Sequence, residues 1–333
     1  MTKLFIIGNG FDRAHGYKTS YDDFRDYMYK LAEGELDFNN GCPPVGEIIG
    51  GNHHSDFDTK KLARFLVYMI EETGWLIEGD EDERDKAWHN FEKALGKLNL
   101  SEAYDIENIY NYGDDGIDTE FDDKAINQGL QSINDISSVL RQLNVLFKNW
   151  VKQIEIDGEP KPDLYKLFHE DENSLFLSFN YTETLETVYD IPEERICYIH
   201  GRRNSDENLI IGYAPENERQ FTKEDILNAR LMSVDRDFFK NPEQHEWDNI
   251  DFFKKLIDVD EIYDYGWSIA DNTVDEYYLN DITSYKNIKV FHLQEYGNKK
   301  KSGENESEND RAEHKLRKLK YKGKIIKSFG NAE

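Results

Sequence analysis

Apolar positions recur along this chain at two spacings. Lys3 to Ile7 is a short apolar run closed by Gly8-Asn9-Gly10, the pattern of a buried strand entering a tight turn. A helix is predicted from Ser20, which can act as N-cap with Asp23 at the third helical position; Phe24, Met28 and Leu31 then share a face. Residues 33–58, rich in Gly, Pro, Asn and His, read as a loop. Leu62, Phe65, Leu66, Met69 and Ile70 make one helical stripe, and Trp88, Phe91 and Leu95 make another. The longest stripe runs Leu130, Ile133, Ile136, Leu140, Leu143, Phe147, Trp150 and Ile154. Its spacing by three and four predicts a long amphipathic helix whose apolar side is core.

From residue 174 the texture changes. Leu175 to Phe179 reads as a buried strand, followed by Asn180-Tyr181-Thr182 and a helical Leu185/Val188 pattern. Further strands are predicted at Ile196–Ile199, Leu209–Ile211, Glu261–Tyr265 and Ile288–Leu293. Strands alternating with helices predict an α/β fold with a doubly wound, mostly parallel, Rossmann-type sheet. A helical insertion separates its first βα unit from the rest. On this reading residues 1–24 and 171–298 form the α/β core, 25–170 the insertion, and 299–333 a charged C-terminal segment, of which 299–322 reads as a solvated linker or helix.

Composition narrows the classes of partner. Of 333 residues, 38% are hydrophobic and 13% aromatic, which argues for a folded body. The formal charge of −27 disfavours direct binding to nucleic acid, which needs Lys and Arg at the phosphates. Two cysteines, Cys42 and Cys197, cannot build a disulfide framework or a four-cysteine zinc site. No metal is expected, His53/His54 being the pair to revisit if one were found. With neither a signal-peptide pattern nor a bilayer-length apolar run, the expectation is a cytoplasmic protein without membrane contact.

Three polar features fall at predicted strand ends. Gly8-Asn9-Gly10-Phe11-Asp12 follows the first strand, where glycines let backbone turn sharply and approach a pyrophosphate. The third glycine of the dinucleotide fingerprint would fall at Arg13, so that fingerprint is incomplete, and a ligand-free βα turn is the competing reading. Asp12 would repel phosphate; it either caps the following helix or accepts a ribose hydroxyl. Asn180 and His200 end what read as consecutive strands at the same sheet edge, the edge where open α/β sheets bind ligands. Either residue alone is more often structural. Arg202 or Arg203 could contact phosphate, though exposed surface arginine is the commoner case.

The blocks Gly8-Asn9-Gly10-Phe11-Asp12…His15-Gly16…Thr19-Ser20-Tyr21-Asp22-Asp23-Phe24, Trp88…Phe91-Glu92, Ser178-Phe179-Asn180-Tyr181-Thr182, His200-Gly201 and Gly266-Trp267-Ser268, with a later Asp275 and Tyr278, stand in order along the chain. They resemble the AbiH family, the phage abortive-infection proteins of bacteria, over roughly residues 3–295. The spacing from Ser268 to Asp275 is slightly longer than that family's pattern. AbiH proteins are in turn similar to sirtuin-like NAD-binding folds, whose Gly-Ala-Gly-Ile-Ser turn, Pro-Asp-Phe-Arg loop, Asn motif and catalytic His-Gly match Gly8 to Asp12, Asp22 to Arg25, Asn180 and His200-Gly201. Cys-x-x-Cys pairs are missing, so the sirtuin zinc module and protein deacetylation are not expected.

The resemblance implies an antiphage protein that binds and hydrolyses NAD. Asn180 and His200 would be catalytic, with Gly8, Asn9, Gly10, Phe11, Asp12, Asp23, Phe24, Arg25 and Ser268 around the cofactor. NAD or a related nucleotide is the expected ligand and a phage-derived molecule the expected trigger; a homo-oligomer is admitted. Two rival readings stand beside it. One is a nucleotide-binding sensor without turnover, the other a defence protein acting through a partner or on nucleic acid.

Overall fold

The computed structural model describes residues 2–34, 41–50, 56–77, 82–112, 123–213, 230, 233–234, 238–269, 275–294 and 307–329. These fall into two compact units. The first comprises Met1–Ser20, Val151–Ile210 and Asn241–Glu333; the second comprises Tyr21–Trp150 and Ile211–Lys240.

The first unit is built on a six-stranded sheet in the order β3-β2-β1-β4-β5-β6. Its strands are β1 (Thr2–Ile7), β2 (Leu175–Ser178), β3 (Ile196–Tyr198), β4 (Val259–Tyr265), β5 (Val290–Gln294) and β6 (Lys324–Phe329). Every neighbouring pair is parallel. This is the doubly wound Rossmann order, and its two halves diverge between β1 and β4, which makes the carboxyl ends of those strands the topological switch point. Alternation along the strands explains the layering. Leu4, Ile6, Leu177, Ile262 and Phe291 enter one apolar cluster. Phe5, Ile7, Phe176 and Tyr263 enter the other, which is completed by Leu164 and Phe168 of the helix Pro162–Phe168. That helix, expected in the insertion, packs on the sheet.

The second unit is helical, with Tyr21–Leu31, Thr59–Glu71, Glu83–His89, Phe91–Leu95, Leu100–Tyr112 and most of the long helix Asp123–Lys152. Phe24 meets Trp88, Phe91, Phe147 and Trp150 at ring-centroid distances of 5.0 to 5.9 Å, so its core is aromatic. Glu71 lies inside it, accepting from the Trp88 indole at 2.9 Å and from the Tyr29 hydroxyl. No helix among the described residues is long and apolar enough to cross a membrane.

Three expected elements differ. The Trp88/Phe91/Leu95 stripe spans two short helices that break at Asn90, whose φ of −115° and ψ of 39° leave the helical region. Leu209 to Ile211 is not a strand; Leu209 and Ile211 are buried, and the Ile210 N–H is donated to the His200 carbonyl at 2.9 Å. The stretch 299–322, read as a solvated linker or helix, holds the helix Glu308–Lys318, which is not merely solvated, and β6 follows it as a strand the sequence reading did not include. Ala312 and Leu316 of that helix are buried in the sheet's core.

Candidate functional site

At the switch point the turn after β1 meets the turn after β4. The Gly8 N–H is donated to the Tyr265 carbonyl at 3.0 Å and the Gly10 N–H to the Gly266 carbonyl at 2.9 Å. A methyl group on Gly8 would stand 2.5 Å from the Gly266 oxygen, and one on Gly10 2.7 Å from the Gly266 Cα. Gly266 itself has a φ of +77°, and its Cβ would fall 2.2 Å from the Phe11 nitrogen. These glycines let two loops touch backbone to backbone. The Phe11 N–H is also occupied, by the Gly8 carbonyl at 2.9 Å, and the helix that follows has five residues.

Asp12 does not cap that helix, because it lies within it: the N-cap is Gly8, without a side-chain bond. The Asp12 carboxylate accepts from Thr182 Oγ1 at 2.5 Å and Thr184 Oγ1 at 2.8 Å, so both oxygens are engaged. Burial lifts its pKa to about 6, against the pull of the two threonine hydroxyls, Asn180 and the nearby positive charge of Arg203. Asn180 is 5% exposed and donates from Nδ2 to the Gly8 carbonyl at 3.1 Å. It therefore clamps the loop after β2 to the glycine turn. Asn9 faces solvent and exchanges bonds with Thr19, its Nδ2 donating to the Thr19 carbonyl at 3.0 Å.

His200 ends the β3 stretch and meets Asp275, which immediately precedes the helix Glu276–Ser284, with Nε2 3.1 Å from Oδ1. Both are buried, at 3% and 5% exposure. The imidazole stands edge-on to Phe179 at 5.4 Å, and Phe179 stacks on Trp267 at 4.7 Å. Histidine, its carboxylate partner and the aromatic pair are thus brought together from the three connections that follow β2, β3 and β4. Ser268 donates to Glu308 at 3.0 Å, and Gln294 accepts the Gly266 N–H at 2.8 Å.

The site residues named from the sequence divide into two groups. Gly8, Asn9, Gly10, Phe11, Asp12, Asn180, His200 and Ser268 all belong to the sheet unit, Phe11 as part of its core. Asp23, Phe24 and Arg25 belong to the helical unit, where Phe24 is core and Arg25 pairs with Asp85 at 2.7 Å. Sequence reasoning missed Thr184, Gln294, Glu308 and Asp264. Asp264 had a signal: a carboxylate within the apolar run Ile262 to Tyr265. Its side chain is buried, burial raises its pKa well above the usual value, and Oδ1 has no hydrogen-bond partner.

Among the described residues no group of three or more His, Cys, Asp or Glu is placed to hold a metal, and His53 and His54 lie outside those residues. Neither a curated protein nor a solved structure matches the chain. The profile described as bacteriophage abortive infection AbiH matches residues 4–293, and the chain belongs to that family.

Proposed function

We propose that this abortive-infection protein acts against phage by binding NAD at the carboxyl ends of β1, β2 and β4 and hydrolysing its nicotinamide–ribose bond. The observation that carries the reading is the His200–Asp275 contact of 3.1 Å at that rim. A histidine oriented by a carboxylate is a general base suited to neutral pH. In the step, a water oxygen attacks the ribose C1′ and the C–N bond breaks. Nicotinamide leaves with the bonding electrons, and the water proton passes to His200. Asp275 is a positioning residue, favouring the imidazolium that forms.

The glycine turn supports a narrower part of the reading than its sequence suggested. Its Gly8, Gly10 and Phe11 amides are committed within the protein, so ligand contact falls to the side chains around the turn. The sensor without turnover draws on the burial of His200 and Asp275.

Nicotinamide release by the purified protein, measured beside plaque counts on expressing cells, separates the two. His200→Gln is expected to lower release about 10²-fold or more, the usual contribution of a general base, and to abolish protection. Asp275→Asn is expected to lower kcat with KM little changed. Full protection by both variants would overturn catalysis and leave the sensor. No thermal shift with NAD or ADP-ribose would remove the nucleotide altogether.

A further inference from the structure

The helix Glu308–Lys318 is held in place along its whole length. A capping box at Ser307 and Asp310 fixes its start, and Lys327 of β6 ties it to the sheet, 2.7 Å from Asp310 and 2.6 Å from Glu313. Arg317 closes the other end, donating from Nη1 to the carbonyls of Tyr321, at 3.0 Å, and Gly323, at 2.9 Å. Ala312 and Leu316 are buried in the apolar cluster that also takes Tyr278, Leu279 and Ile282 of the helix Glu276–Ser284.

From this fixed helix two side chains reach the connection between β4 and Asp275. Glu308, in the first turn, accepts from Ser268 Oγ at 3.0 Å. Lys315 pairs with Glu276 at 3.1 Å, and its side chain is only 14% exposed, so solvent screens the pair less than a surface one. Glu308 and Lys315 are seven residues apart, which places them on one helix face about 10 Å apart along the axis. Together they brace the beginning and the end of that connection.

The brace matters because of how Asp275 is used. It stands at the N-cap of the helix Glu276–Ser284 without the side-chain cap bond that an aspartate usually makes there. Its carboxylate meets His200 Nε2 instead, at 3.1 Å. The aim of that carboxylate then depends on where the start of the helix is held, and Lys315 holds the very next residue. We propose that the helix Glu308–Lys318 is a strut for the histidine site, with Lys315 and Glu308 as positioning residues that keep Asp275 against His200. The consequence for turnover rests on the NAD reading; the consequence for the His200–Asp275 contact does not.

Nitrogen-15 spectra of the full chain, labelled at histidine, read the contact without any substrate. The His200 ring signals are assigned by their loss in His200→Gln, and Asp275→Asn shows where they fall when the carboxylate is gone. Lys315→Met, Glu308→Ala and Glu276→Gln, the last at a 44% exposed side chain, are each expected to move the signals toward the Asp275→Asn positions. Lys315→Arg keeps a cation at that place and is expected to retain the wild-type signals. In nicotinamide release the first three variants should lower kcat about threefold or more with KM little changed. Lys289→Met breaks the exposed pair with Asp260 elsewhere on the sheet and should leave both readouts alone. Signals that stay in place in any of the three variants, or that move as far in Lys289→Met, would overturn the strut. Signals that move as expected in a protein that releases no nicotinamide would support the strut and remove the hydrolysis reading.

Discussion

Asp264 is an acidic side chain in a fully buried, largely apolar setting. It sits on β4 between Ile6 of β1 and Leu293 of β5, on the apolar face of a parallel sheet. Burial favours its neutral form, the Glu308 carboxylate adds to that, and the Trp267 backbone N–H works against both. Because the folded pKa is raised, the folded state holds this proton more tightly than the unfolded chain does. Its contribution is fully present below the unfolded value near 3.8 and is lost as pH rises through the folded pKa. Asp264→Asn keeps the shape and stays neutral. Urea unfolding of both proteins from pH 4 to 8 should show near-equal stability at the acid end and a growing advantage for the variant above it. A gap that is constant with pH would mean that the carboxyl does not titrate this way.

The contrast between the glycine turn and His200 shows how far single residues were legible. Gly8 and Gly10 are read from the sequence as a turn whose backbone approaches a pyrophosphate, whereas the group that packs against them in the structure is the backbone of the Gly266 loop, far away in sequence. Spacing cannot reveal which backbone comes near. The convergence of Asn180 and His200 on one rim followed from strand order, whereas the Asp275 contact depends on the fold bringing together residues 75 apart.

At the scale of elements, periodicity read well where one face is apolar over several turns. The long stripe through Ile133, Leu140 and Phe147 falls on the helix Asp123–Lys152, with those three side chains buried. The Leu175 to Ser178 run is β2, buried at every position. Patterning failed where few apolar residues do the work. In the helix Glu308–Lys318 only Ala312 and Leu316 are buried, amid Lys, Glu, Arg and Asp that mask them. Its start was nevertheless written locally, as a capping box between Ser307 and Asp310. Leu316 has no exposed surface and lies in the cluster with Phe291 and Ala312. Leu316→Ala should therefore cost about 2 to 5 kcal/mol in denaturant unfolding, the range for emptying a buried leucine site. A cost under about 0.5 kcal/mol, normal for a surface change, would return this segment to a solvated role.

For the whole molecule, 68 acidic residues against 41 basic ones leave a formal charge of −27. Two opposing effects then respond to salt. Ion pairs such as Lys61–Glu47 at 2.7 Å and Lys289–Asp260 at 2.6 Å are weakened by screening. Exposed pairs of this kind contribute only about 0 to 1 kcal/mol each, so their loss is small. Self-repulsion among the unpaired carboxylates acts over many residues and opposes the compact state. Raising the salt from about 0.01 M to about 0.15 M shortens the Debye length from about 30 Å to about 8 Å, which removes the long-range repulsion while contacts at 3 Å keep part of their strength. Repulsion should win. The melting temperature is expected to rise over that range of sodium chloride and then level off, with potassium chloride giving the same curve because the effect is one of ionic strength. A melting temperature that falls with salt would mean that the ion pairs outweigh the excess charge. A rise seen with one cation only would point instead to specific binding at an acidic site.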